Sequence, residues 1–114
     1  MSGRGPRWIS VKKTPSEFTI SIKGTLNATY GYVTIDGTQY SAAAEVVVAP
    51  NTPIEVMVGT QWGQYNNSCQ ITLNGTVVQS GYGSYQFNAE ADATITFTKS
   101  GGTRYYFTCA ITTS

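Results

Sequence analysis

Histidine is absent from the 114 residues. With it go the usual general base, the Ser-His-Asp and Cys-His nucleophile pairs and the commonest transition-metal ligand. Charge is scarce as well: Asp, Glu, Lys and Arg make up 11% of the chain, less than half the average share of a soluble protein. Thr, Ser, Asn, Gln, Gly and Tyr supply the polar surface instead. No apolar run approaches the roughly 18 residues that a bilayer span needs, and the N-terminus lacks the apolar core of a signal peptide. A Met start without that signal leads to an expectation of synthesis in the cytosol. Such a chain reaches the outside by a dedicated secretion system or in a particle released by lysis. Helical periodicity is missing throughout, so the expected fold is all-β, and the expected function is non-enzymatic, without cofactor or metal.

What is present is β alternation punctuated by turns. Val33-Thr34-Ile35 runs into Asp36-Gly37-Thr38, and Ile71-Thr72-Leu73 runs into Asn74-Gly75-Thr76. Asp-Gly and Asn-Gly accept the positive φ angles of a two-residue type I′ turn, so both segments read as hairpin tips. The two-residue turns set the register, placing Tyr40 opposite Val33 and Val78 opposite Ile71. Phe18, Ile20 and Ile22 alternate with polar residues up to Gly24. Val46 and Val48 lead to a turn with Pro50 and Pro53, followed by Ile54, Val56 and Val58. After the second hairpin, Tyr85 and Phe87, Ile95 and Phe97, and Tyr105, Phe107, Cys109 and Ile111 mark three further strands.

A shift of 38 residues carries the first hairpin onto the second, and a shift of 39 carries Val46, Val48, Val56 and Val58 onto Tyr85, Phe87, Ile95 and Phe97. The pattern is either two copies of a four-strand unit preceded by one extra strand or a chance likeness between hairpins with alternating strands, and the same fold follows from both. A single unit cannot cover its own apolar face, so two copies packed face to face make an antiparallel, immunoglobulin-like β-sandwich of roughly eight to ten short strands. The expected division is a basic N-terminal arm over residues 1–15 and one sandwich domain over residues 16–114.

Two resemblances follow from these residues. Each half, through Val33 to Gly37, Ile71 to Gly75 and the Pro50 to Val58 hairpin, resembles the PEGA-type modules of bacterial cell surfaces, with Asn51-Thr52 where those modules carry Gly. The stretch from Ser16 to Thr113, short, weakly charged and rich in Thr and Gly, is similar to the immunoglobulin-like accessory domains of bacteriophage heads and tails. Trp62 precedes Cys69, so the Cys-Trp-Cys order of true immunoglobulin domains is not kept. The second resemblance implies a capsid decoration or tail protein of the virion. Its partner would be a protein lattice or further copies of the chain.

Four groups of residues are candidates for function. Arg4, Arg7, Lys12 and Lys13 precede the first acid, Glu17, and surround Trp8-Ile9-Ser10-Val11. Cations beside an apolar anchor suit docking on an acidic protein surface, whereas four of them give nucleic acid only weak, salt-sensitive binding. Trp62, Tyr65 and Tyr82 lie in loops among Gly, Gln and Asn. They either plug the ends of the sandwich or form a platform that stacks on a surface carbohydrate, the alternative function, which fits an extracellular or cell-surface location. Cys69 and Cys109 both point inward. They are either two buried free thiols or a disulfide whose loop closure contributes about 4 kcal/mol. Glu90 and Asp92 are the only pair spaced for glycoside hydrolysis, and solvated turn acids are the commoner explanation of such a pair. With Asp36 they still fall short of the oxygens that calcium prefers.

Overall fold

A computed structural model of the chain describes residues 17–59, 69–81, 83–100 and 106–114. Alternating side chains and turn residues resolve into ten strands: β1 (Phe18–Gly24), β2 (Gly31–Ile35), β3 (Thr38–Tyr40), β4 (Ala44–Val48), β5 (Pro53–Val58), β6 (Gln70–Leu73), β7 (Thr76–Ser80), β8 (Gly83–Asn88), β9 (Ala93–Ser100) and β10 (Tyr106–Thr113). They form two sheets, one of six strands in the order β4-β1-β9-β10-β6-β7 and one of four in the order β3-β2-β5-β8. Ile20, Ile22, Ile71, Ile95, Phe97, Phe107 and Ile111 of the larger sheet share a core with Val33, Ile35, Ile54, Val56 and Val58 of the smaller. Each such side chain contributes about 1.5–3 kcal/mol by leaving water. Gly31 permits the closest approach between the layers, because a Cβ there would lie 2.5 Å from the Phe107 ring.

Both hairpin tips take the conformation that their sequences imply. Asp36 and Asn74 have φ of 48° and 50°, and Gly37 and Gly75 both have 85°. Tyr40 stands opposite Val33 as expected. The second hairpin departs from expectation: Thr72 faces Val77, but Ile71 faces Gln79, not Val78, because a β-bulge intervenes between Ile71 and Thr72. An extra residue bends a strand and steepens its twist. Here it falls on the strand that feeds β8, in the opposite sheet. Val78 still packs against the core.

The expected sandwich of about ten strands is present, and its pairing is mixed where a wholly antiparallel one was expected. β1 runs parallel to β9, and β10 runs parallel to β6. β1 and β10 lie outside the two four-strand units that the sequence shifts match. In the first unit β2 pairs directly with β5, antiparallel. In the second the corresponding strands β6 and β9 also run in opposite directions, but β10 is inserted between them. A strand placed between two that oppose each other must be parallel to one of them. The same reasoning applies to β1, which sits between β4 and β9. Substitution of β10 for a direct partner is visible in the hydrogen bonds of the tips. Asp36 N–H donates to the Pro53 carbonyl of β5, and Asn74 N–H donates to the Ile111 carbonyl of β10.

Candidate functional site

The fold brings only some of the sequence candidates into view. The docking arm with Arg4, Arg7, Trp8, Lys12 and Lys13, and the loop aromatics Trp62, Tyr65 and Tyr82, lie outside the described residues. Cys69 and Cys109 are both buried, and no disulfide joins them. Register explains why they do not bridge. Cys109 pairs with Ile71, so Cys69 lies one strand across and two residues along, about 8 Å away in Cα terms. A disulfide needs less than about 7 Å. Burial pushes the Cys109 thiol up to about 12, which keeps it protonated and inert.

The two acids do not converge on a substrate-sized site. Asp92 uses Oδ1 to accept the Thr19 N–H at 2.9 Å, and its carbonyl accepts the Ser114 N–H at 3.0 Å. Asp92 thereby ties the start of β1 and the end of β10 to the start of β9. Glu90 lines a different cleft, with Leu73, Tyr85, Phe87 and Thr113. Among the described residues no three His, Cys, Asp or Glu side chains gather to hold a metal ion. No described helix is long and apolar enough to cross a membrane.

What the structure adds is a pair of seams where the edge strand of one sheet leads directly into the edge strand of the other. At one, β7 leads into β8, and the two are in contact. The Gln79 side chain lies against Gly83, where a Cβ would meet its Nε2 at 2.5 Å. Further along, the stacked rings of Tyr85 and Phe87, 6.0 Å apart, wall a cleft of about 400 Å³. Its other side is fastened by Asn74, which accepts from Thr113 N–H and donates to Thr113 Oγ1, each at 2.9 Å.

At the other seam, β3 leads into β4. A groove of about 340 Å³ runs between these two edges, lined by Ile35 and Tyr40 on one side and Val46 and Val48 on the other, with Asp36 at one end. β4 pairs in unbroken register with β1 from Phe18↔Val48 to Ile22↔Ala44, and it is the last strand of its sheet. Val47 on β4 is 60% exposed, more than any other large apolar residue described. Beside it Glu45 is also exposed. Sequence reading identified β4 as a strand but not as an edge, because edge position is set by distant pairing. The signal available was Val47 itself, the middle of three consecutive valines, which alternation leaves facing water.

No family model matches the chain, and comparison with curated proteins and with solved structures finds no match.

Proposed function

We propose that the chain is a non-enzymatic structural and interaction protein, a bacteriophage virion accessory component, of capsid or tail, that docks through its basic N-terminal arm. The observation that supports this reading best is the β4 edge. It is regular and unbulged, and it carries an exposed valine and a carboxylate beside a groove. Unprotected edges of this kind recruit further strands. The arm has the opposite charge to Glu45 and Asp36 and an alternating apolar core, Trp8-Ile9-Ser10-Val11. Asp92, one of the two acids that glycoside hydrolysis would use, is engaged in holding the Thr19 backbone amide. The virion setting rests on the resemblance of the low-charge, Thr- and Gly-rich sandwich to phage accessory domains.

Light scattering at low and high salt tests the reading. The full-length chain should form an oligomer that weakens with salt, as exposed charge pairing does. A chain lacking residues 1–13 should be a folded monomer with an unchanged urea midpoint. A full-length monomer at both salts, or unfolding of the shortened chain, would overturn the proposal.

A further inference from the structure

We infer that the receptor for the arm is the β4 edge of a second copy of this chain, with residues 9–12 added to the six-stranded sheet as an antiparallel strand. This rests on the reading of the arm as the docking element and identifies its partner.

The four edges of the sandwich are not equivalent. β3 has three residues. β7 is bulged, which disfavours strand addition. β8 lies against β7, with Gln79 over Gly83. β4 has five regularly paired residues and a groove beside it.

The register follows from alternation and charge. On β4, Val46, Val47 and Val48 all border the groove; Val46 and Val48 pack on the core, while Glu45 and Val47 are exposed. Pairing Lys12 with Glu45 in an antiparallel ladder sets Val11 against Val46, Ser10 against Val47 and Ile9 against Val48. Ile9 and Val11 then stand beside Val48 and Val46 on the groove side, and Lys12 meets the carboxylate. Arg7 arrives at the end where Asp36 and Thr52 line the groove. A parallel ladder that kept Lys12 beside Glu45 would put Ile9 beside Ala42, outside the strand.

Direction also decides whose arm is used. Phe18 pairs with Val48, so β1 starts where β4 ends. An arm reaching its own β4 would have to run parallel to it. The arm of a neighbouring copy is free to run antiparallel. Strand addition of this kind takes its affinity from main-chain hydrogen bonds and its specificity from alternate side chains.

Disulfide trapping tests the assignment. Two full-length variants, Ser10→Cys and Val47→Cys, are mixed and exposed to oxidised glutathione, and the doubly substituted chain is treated alone at high dilution. The expected result is a disulfide-linked dimer in the mixture, and none when Val77→Cys replaces Val47→Cys. A cross-link within single diluted double-variant chains, with none in the mixture, would overturn the inference in favour of the chain's own arm. No cross-link in either would also overturn it. If light scattering still showed arm-dependent association in that case, docking would stand and only its receptor would be wrong. Val47 is exposed and Ser10 lies in the arm, so the described core is untouched by either substitution.

Discussion

The two seams of the sandwich are built from strands that the 39-residue shift superimposes and differ in what fastens them. The 39-residue shift that relates β4 to β8 carries Val46 onto Tyr85 and Val48 onto Phe87. Where the chain passes into β8, the two rings stack, Gln79 covers Gly83 and Asn74 fastens Thr113. Where it passes into β4, the same positions carry valines, which offer far less surface than a phenyl ring. Open space borders both seams, about 400 Å³ beside the rings and about 340 Å³ beside the valines, so the contrast lies in fastening. One seam is held by stacked rings and side-chain hydrogen bonds, and the other leaves the β4 edge open to a strand.

The comparison can be broken most forcefully from the β8 side. Phe87→Ala should destabilise the protein by about 3 kcal/mol, and Val46→Ala by about 1 kcal/mol, because a partly buried ring loses more packing than a partly buried valine. Urea midpoints at constant m-value measure both. Equal losses would mean that the rings do not hold their seam.

A test of nearly equal size concerns the core beneath both seams. Cys109 has its thiol raised by burial from 9.0 to about 12. Below pH 9 both states keep the proton and nothing is lost. Above it the unfolded chain releases the proton while the folded chain retains it, so stability falls as pH rises from 9 towards 12. The fall should reach about 3 kcal/mol by pH 11. Cys109→Ala should remove that part of the slope in alkaline urea titrations, and parallel slopes for the two proteins would contradict the assignment.

The twin turns sharpen the contrast further. Asp36 and Asn74 share nearly the same φ, so replacement by Ala strains both backbones alike. Asn74→Ala also loses two hydrogen bonds to Thr113, and should cost about 1 kcal/mol more than Asp36→Ala. Matched denaturation curves would reveal that difference or its absence.

The smallest effect on stability should come from Val47→Lys, within about 0.5 kcal/mol at so exposed a site. Its effect on association should be the largest of all, a loss of more than about tenfold, since it places a cation on the edge meant for a basic strand. Sedimentation at several concentrations separates the two quantities.

Much of the fold was legible because it is written locally. Asp36-Gly37 and Asn74-Gly75 specify their turns through the φ angles that they tolerate, and alternation along Phe18 to Lys23 specifies a half-buried strand without reference to any neighbour. What depended on distant partners was not legible. The parallel pairing of β10 with β6 arises from which strand is inserted between which, and no local property of Thr108 or Cys109 records it. The bulge that moves Gln79 opposite Ile71 is hidden for the same reason, since Val77 and Val78 suit either register. The groove at β4 was concealed by its own residues, because Val46 and Val48 alternate like any core strand. Only assembly of the sheets reveals that nothing described pairs with their outer side.

Amide hydrogen exchange at Glu45 to Val48 tests the central claim most directly. In the full-length protein at associating concentration these amides should exchange slowly. In the chain lacking residues 1–13 the outward-facing amides among them should exchange at least about tenfold faster, while those of β5 and β9 stay unchanged. Equal rates at β4 with and without the arm would mean that no strand is added there, and the difference between the two seams would then be one of packing alone.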